Sequence, residues 1–530
     1  MKNHFPWEHP EPIWRKDTTV QECSNLTEDT SAEIVIVGGG ITGITTAYLL
    51  TKENKDVVLL EGSQLLNGTT GHTTAKITAQ HDLIYDELIQ HFGKEKASLY
   101  YQANDEALRF VRGTASQNQI DCNMETEDAC IYAQTDEYKD KLDKEYAAYQ
   151  EIGIPCEYKD DVPFEAEVKK ALYMKDQSRF HPLKYLSFMV DEILKNGGRI
   201  YEHTVAIDIE EEPQLSVRTK QGHKVACDKI ISCSHFPFCD KLGFYFARMY
   251  AERSYVVAIE PKKPLTAGMY LSVDEPVRSI RKAAYDGEEV LLISGESHRT
   301  GEGVDTSFHY RALEEFAAET FGIKNKVAQW SAQDLFTLDK VPYIGKATKN
   351  NENILIATGY KKWGMTSGTV AALLLRDLAT GKNNRYEKLF TPSRFQADPS
   401  LKKFLSNNFN VASHLIEGKL ELVGTRPESL EKGQGDIVEI NGKRAGAYKD
   451  EKGKLHIVDT TCTHMGCEVD WNSAEHTWDC PCHGSRFSIN GEVIEGPAKN
   501  PLRCIKMDED TAQPVDDKDQ EEKPDTPEPV

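Results

Sequence analysis

The chain has 530 residues and a formal net charge of −22, with 85 Asp and Glu against 63 Lys and Arg. That length leaves room for two or three domains and a large core, and the acidic balance excludes nucleic acid or an anionic membrane as an expected partner, since phosphate binding needs clustered Lys and Arg. No apolar run reaches the roughly eighteen residues of a membrane-crossing helix and residues 1–7 lack a signal-peptide core, so no transmembrane segment and a cytoplasmic location are expected.

Residues 1–32 read as a polar, proline-bearing N-terminal arm whose large side chains, Trp7 and Trp14, either dock it on the body or leave it disordered. An apolar run, Ile34-Val-Ile-Val37, then leads into Gly38-Gly-Gly40-Ile-Thr-Gly43 and a helical-looking segment through Leu50. A strand running into this glycine spacing lets backbone N–H groups at a helix N-terminus approach a pyrophosphate closely. A second apolar run, Val57-Val-Leu-Leu60, ends at Glu61, about twenty residues beyond the glycines, where a carboxylate can bond a ribose hydroxyl. Together these predict a Rossmann-like α/β dinucleotide site.

Residues 83–119 carry apolar residues at helical spacing, as in Leu83-Ile84, Leu88-Ile89 and Phe92. Residues 199–293 are richer in short strand-like runs, such as Tyr255-Val-Val-Ala-Ile259 and Val290-Leu-Leu-Ile293. These runs predict an antiparallel sheet walling a substrate pocket, or further strands of the nucleotide-binding sheet. Residues 365–380 repeat small and apolar residues at helical spacing and stop at Gly381, as a capped helix does. That helix's start beside Gly364 would aim backbone N–H groups at whatever lies there, and an ordinary core helix fits the same pattern.

Gly68-Thr-Thr70-Gly71-His72-Thr-Thr-Ala75-Lys resembles the second flavin-contacting segment of the glycine and D-amino-acid oxidase family of FAD enzymes. Thr337-Leu-Asp339-Lys-Val-Pro342-Tyr-Ile-Gly345 and Ala357-Thr-Gly359-Tyr-Lys-Lys-Trp-Gly364-Met365 resemble that family's closing segments. The resemblance implies FAD as the cofactor, an FAD domain over residues 33–392 with an interleaved antiparallel-sheet substrate domain, and oxidation of a carbon–nitrogen bond by hydride transfer. The FAD-contacting residues it implies are Gly38, Gly40, Gly43, Glu61, Thr70, His72, Gly359, Gly364 and Met365. In the sarcosine and dimethylglycine dehydrogenases of this family a histidine at the place of His72 bonds covalently to FAD. Gly71 stands where those relatives carry tryptophan, which leaves a covalent bond and a noncovalent contact both open. Such enzymes often hold a substrate carboxylate with an arginine, and Arg278 and Arg281, in the strand-rich region, are the candidates beside an ordinary surface role.

Residues 393–424 read as a linker. Asp436-Ile-Val-Glu-Ile440, Gly442 and Leu455-His-Ile-Val458 then give hairpin-like strands. They lead to Cys462-Thr-His464-Met-Gly-Cys467 and Cys480-Pro-Cys482-His483-Gly-Ser485, two pairs that each mix cysteine with histidine. Two thiolates on one iron and two imidazoles on the other make a Rieske 2Fe-2S cluster, a one-electron carrier. A structural zinc site is the alternative, but zinc favours Cys-x2-4-Cys and His-x3-5-His pairs. Residues 425–507 resemble the Rieske proteins of cytochrome bc complexes, an all-β domain. The resemblance implies Cys462, His464, Cys480 and His483 as cluster ligands and a disulfide between Cys467 and Cys482, against the usual state of cytoplasmic thiols. It also implies a hydrogen bond from Ser485 to a cluster sulfur and a third loop at Gly496-Pro497-Ala498. Phe487 stands where high-potential members have a tyrosine hydroxyl, which lowers the expected potential. Cys233-Ser-His235 copies half of such a pair, with no Cys-x2-His partner outside the C-terminal site.

Residues 508–530 carry ten carboxylates against two lysines and read as a disordered acidic tail, or a docking segment for a basic electron-transfer partner. Joined, the two cofactors imply an amine or amino-acid dehydrogenase that passes electrons from FAD to the cluster and on to an external acceptor. Two alternatives stand beside it. An NAD(P)H-fed reductase would need a second nucleotide fingerprint, and residues 295–303 have the wrong glycine spacing for one. A non-catalytic electron carrier or redox sensor would use FAD as a relay.

Overall fold

The structure, a computed structural model, describes residues 10–239, 242–303, 305–394 and 425–506. Trp7, most of the expected linker and the acidic tail lie outside these residues. The chain divides into two units, one ending at Ala412 and the other starting at Ser413, and each is taken by itself.

In the first unit, the runs apolar on both faces make a six-stranded sheet. Its order is Tyr343–Lys346, Ile354–Thr358, Lys229–Ser232, Ile34–Val37, Val57–Leu60 and Arg199–Tyr201. Five strands are parallel and the edge strand Tyr343–Lys346 is antiparallel. Every residue of Ile34–Val37, Val57–Leu60 and Ile354–Thr358 is buried, as a parallel sheet covered on both faces requires. Each such Val, Ile or Leu contributes about 1.5–3 kcal/mol by leaving water.

A second sheet is antiparallel at every junction but one. It runs Ile323–Thr337, Met249–Pro261, Glu288–Arg299, Arg278–Tyr285, Met269–Ser272, Glu125–Ala133, Lys170–Arg179 and Lys76–Ile77, with Cys156–Lys159 paired beside Lys170–Arg179. The exception is Met269–Ser272, parallel to Glu125–Ala133. The strand-like runs of residues 199–293 thus divide among three sheets: Arg199–Tyr201 and Lys229–Ser232 join the first, Tyr255 and Val290 the second, and Ala206–Glu210, Ser216–Thr219 and Lys224–Ala226 form a third, four-stranded sheet with Thr30–Ser31. The helical stretch after Leu83 is two helices, Tyr85–Phe92 and Lys94–Gln117, broken at Gly93 with φ +82. The arm is not wholly irregular, since Ile13–Lys16 is helical with Ile13 and Trp14 buried, and Thr30–Ser31 pairs with Lys224–Ala226.

The second unit is all β. Gly435–Ile440, Lys443–Lys449 and Leu455–Val458 form an antiparallel sheet, and Asp470–Asn472, Thr477–Asp479, Arg486–Phe487 and Val493–Glu495 another. The first hairpin turns on Asn441-Gly442, both left-handed at φ +51 and +73, the pairing a two-residue hairpin loop demands. Two glycines explain how the sheets meet: a Cβ on Gly435 would lie 2.3 Å from the Trp471 ring and one on Gly446 2.6 Å from the Trp478 ring.

Candidate functional site

The first strand of the six-stranded sheet ends at Gly38, whose φ of +110 and contact with Cys233 exclude a side chain; its Cβ would lie 2.5 Å from the Cys233 carbonyl oxygen. Gly43 is more constrained, its Cβ falling 1.9 Å from Gly38 O. Between them Gly40 caps the buried helix Ile41–Lys52, so the glycine turn is pressed against the helix's first turn. Ile41 N donates to Thr70 Oγ1 at 3.0 Å, which brings Thr70 to that N-terminus. Glu61 accepts from Gly39 N at 2.7 Å and Ser63 N at 2.8 Å, and burial raises its carboxyl above the ordinary range.

A second helix N-terminus faces the same segment from its other end. Helix Gly364–Ala379 begins after Trp363, and its Thr366 hydroxyl donates to Thr78 O at 3.0 Å and accepts from Thr78 N at 3.1 Å. Thr42, on the first helix, donates to Tyr360 OH at 3.0 Å, and Gly368 permits the close crossing, since its Cβ would lie 2.8 Å from Thr42 Oγ1. Gly359, at φ +77, turns the chain where Thr337 leaves no room for a Cβ, and Met365 is buried. Residues 68–78 therefore bridge two helix N-termini. Such ends favour negative charge, so the arrangement fits an elongated ligand with a pyrophosphate at one end and an anion-forming ring at the other.

Within that segment His72 Nδ1 donates to Gly68 O at 3.0 Å. His81 is fully buried, stacked on Trp363 with centroids 4.8 Å apart, its Nε2 2.8 Å from Thr78 O and its Nδ1 2.8 Å from Tyr100 OH. The carbonyl only accepts, so the proton sits on Nε2 and Tyr100 donates to Nδ1; burial holds this histidine down to about 3.

The sequence did not point to a neighbouring aromatic and charged patch. Tyr250 and Phe336 stack across adjacent strands at 5.2 Å, and Phe336 bridges to Tyr360 of the closing loop. The Arg299 guanidinium lies 4.7 Å over the Tyr250 ring and Lys361 Nζ 5.8 Å from the Phe336 ring. Burial and then neighbouring Lys340 bring Lys361 down to about 8, and burial raises Glu252 despite Lys362, Lys361 and Arg299. The only signal in the sequence is that Lys361-Lys362 sits inside the closing segment.

The two arginine candidates take opposite faces of one strand. Arg278 pairs with Glu296 at 2.5 Å, beside His309, so its charge is neutralised. Arg281 is buried and donates to Ala75 O at 3.3 Å.

In the second unit the two Cys/His loops share one hydrogen-bond frame. Cys462 O accepts from Gly466 N at 2.9 Å and Cys480 O from Gly484 N at 3.0 Å, while Cys462 N donates to Cys467 O at 2.7 Å and Cys480 N to Ser485 O at 2.8 Å. Gly466 and Gly484 are both left-handed, at φ +79 and +74. The loops thus superpose cysteine on cysteine, and His464 and His483, offset by one position, meet with perpendicular rings 5.0 Å apart. Burial, and then Lys499, brings His464 down to about 4; burial, and then His464, brings His483 down to about 3. Neutral imidazoles are what metal ligation requires. The Cys462 thiol is held below its ordinary range by the Cys480 sulfur, with help from the His464 and Met465 N–H groups and the Ser485 hydroxyl.

A disulfide joins Cys467 to Cys482 and locks one loop to the other. The sulfurs of Cys467, Cys480 and Cys482 lie within 4.8 Å of one another, but two are spent on that bond and have no thiolate to offer. The donor set that fits a mixed N/S cluster is Cys462, Cys480, His464 and His483. Ala498 N donates to Ser485 Oγ at 3.1 Å, and Gly496 packs so closely that a Cβ would lie 2.5 Å from Ser485 Cα. Phe487 is fully buried.

A family model described as FAD dependent oxidoreductase matches residues 33–378, and one described as Rieske [2Fe-2S] domain matches residues 422–506. The putative Rieske 2Fe-2S iron-sulfur protein YhfW of Bacillus subtilis is 52% identical over 95% of this chain and 99% of its own length. Gamma-glutamylputrescine oxidoreductase of Escherichia coli is 24% identical over 68% of this chain and 87% of its own. Among solved structures, glycine oxidase from Geobacillus kaustophilus shares the fold of the first unit, with a TM-score of 0.59 at 20% identity over 69% of this chain and 99% of its own. No helix among the described residues is long and apolar enough to cross a membrane.

Proposed function

This chain belongs to the FAD dependent oxidoreductase family and carries a Rieske [2Fe-2S] domain, and from that premise we propose that it is an amine or amino-acid dehydrogenase delivering electrons through its cluster to an external acceptor. The observation that carries the reading is the pairing, in one chain, of a cradle between two helix N-termini with a two-loop Cys/His site. Bound FAD supplies acceptance of a hydride from a carbon–nitrogen bond, and the assembled cluster accepts and gives electrons one at a time. A one-electron outlet would be redundant if oxygen took both electrons, which favours a dehydrogenase over an oxidase. The amine chemistry draws support from the gamma-glutamylputrescine oxidoreductase similarity.

In this reading Gly38, Gly40, Gly43 and Thr70 hold the pyrophosphate, Glu61 the ribose, and Gly359, Gly364 and Met365 the ring end, with His72 in contact. Cys462, Cys480, His464 and His483 ligate the two irons. The substrate lies on the Tyr250–Phe336 patch, where Arg299 would hold a carboxylate and Lys361, its pKa brought down to about 8, would take the proton of the substrate ammonium. That leaves the nitrogen lone pair to drive hydride departure, and the substrate leaves as an imine.

The test is anaerobic mixing of purified protein with a panel of amines and amino acids, following flavin absorbance and the cluster's electron paramagnetic resonance signal together. Flavin bleaching followed by a reduced-cluster signal is the expected result. A flavin that stays oxidised across the panel but bleaches with NADPH would replace this reading with a pyridine-nucleotide-fed reductase.

A further inference from the structure

Irregular backbone inside a protein must still find partners for its carbonyls. Three of those in the middle of residues 68–78 go to long side chains from distant parts of the chain. His72 O accepts from Trp330 Nε1 at 2.8 Å, Thr73 O from Trp14 Nε1 at 2.8 Å, and Ala75 O from Arg281 Nη1 at 3.3 Å. None of the three donors is more than 1% exposed. Thr69 adds a fourth tie, its hydroxyl donating to Gln333 O at 3.1 Å, on the strand that carries Trp330. Ala75 has φ +55, a left-handed conformation that costs a non-glycine residue about 1 kcal/mol or more and persists only where its surroundings impose it.

The arm is itself held from several sides. The Arg281 guanidinium lies 5.2 Å over the Trp14 ring, a cation–π contact strengthened by the absence of water. His181 meets Trp14 edge-on at 4.9 Å and places Nε2 2.8 Å from Asp17 Oδ1. Arg15 donates to Gln64 Oε1 at 3.0 Å. The helix Ile13–Lys16 is therefore pinned beside the segment that spans both helix N-termini, although it belongs to no sheet.

We propose that Trp14, Trp330 and Arg281 are positioning residues for the flavin, acting through the carbonyls of Thr73, His72 and Ala75, and that the N-terminal arm is a working part of the flavin site. The proposal rests on the reading that FAD lies along residues 68–78. It gives Arg281 a task distinct from clamping a substrate carboxylate, since one of its N–H groups is committed to Ala75 O. Loosening a grip shifts the segment against the flavin ring, so cofactor retention and flavin potential change together.

The test uses the full-length holoprotein. Trp14→Phe removes the indole N–H and keeps a ring over Arg281, and Trp330→Phe does the same at His72 O. Losing one such hydrogen bond predicts about fivefold weaker FAD binding on reconstitution of the apoprotein, with a shifted flavin band and midpoint potential. The cluster's paramagnetic signal in the same samples stays as in the parent protein and serves as an internal control. Unchanged FAD affinity, band and potential in both variants would overturn the proposal, even if melting temperature fell, because the tryptophans would then stabilise the body alone. Gly43→Ala separates this from failure of the underlying reading: full FAD retention there would sink the cradle itself, whereas unaltered flavin properties in Trp14→Phe sink only the positioning role.

Discussion

The two units build their sites by opposite means. In the cluster unit the proposed donors fall within residues 462–483, on two loops that repeat one backbone hydrogen-bond frame and are joined by a disulfide. In the flavoprotein unit, Gly43, Thr70, Thr366 and the Trp14, Trp330 and Arg281 grips come from along nearly the whole unit, Gly43 by close backbone approach and the others by side-chain contacts to backbone. A site written in one short stretch carries its geometry in local turns, while a site gathered from remote stretches depends on the packing of the entire unit.

The sharpest way to break this comparison is a pair of mirror-image losses. Cys480→Ser should abolish the paramagnetic signal and bound iron while leaving the flavin spectrum intact. Gly43→Ala, whose Cβ would fall 1.9 Å from Gly38 O, should abolish FAD binding while the cluster assembles. Loss of both cofactors in either variant would show that the units do not fold independently.

Acid sharpens the contrast next. His81 is held neutral by burial with a folded pKa of about 3, against about 6.5 unfolded. The unfolded chain therefore binds more protons between these values, and stability falls as pH drops through that window, by up to about 4 kcal/mol. In urea unfolding of the flavoprotein unit from pH 7 to pH 3, His81→Gln should flatten this contribution, read as parent against variant because Glu145, raised to about 8 by burial, slopes the opposite way. An equally steep variant would place the acid sensitivity elsewhere.

Removing the disulfide should then cost the cluster unit about 3 kcal/mol, the value for a closed loop of this length, since Cys467 and Cys482 lie 15 residues apart. Cys467→Ala with Cys482→Ala, followed by denaturant unfolding at the cluster's own absorbance, measures it; flavin loss should be unaffected. The smallest effect is electronic. Phe487→Tyr would add a hydroxyl donor, and one hydrogen bond to the reduced cluster corresponds to about 40 mV upward for a one-electron couple. A potential unchanged or lowered by protein-film voltammetry would mean that the hydroxyl does not reach a sulfur.

The same contrast sets what the sequence reveals. The strands around the glycine turn and the Cys/His loops were legible because apolar runs, glycine spacing and ligand types act over a few residues. Arg278 and Arg281 show where this stops: three residues apart on a strand, they must face opposite ways, but only the assembled sheet tells that one meets Glu296 and the other Ala75 O. Trp14 looked like a possible anchor in the arm, yet nothing local names Thr73 O as its partner. The break between the two helices at Gly93 was missed because the apolar spacing runs through it. Tyr250, Phe336, Arg299 and Lys361 were invisible as a group because they lie on four separate stretches joined only by strand pairing and one closing loop.

Strand order also dictates a timetable during synthesis. Ile34–Val37 sits inside its sheet between Val57–Leu60 and Lys229–Ser232, and residues 38–228 must all emerge before the second neighbour exists. Until then one edge of an apolar parallel strand is open, the state in which nascent chains pair wrongly. Non-local pairing of this kind folds slowly. FAD would find its two helix N-termini only after residue 366 has left the ribosome, while the cluster loops need little more than their own domain. The nascent flavoprotein half should therefore be the part that leans on chaperones.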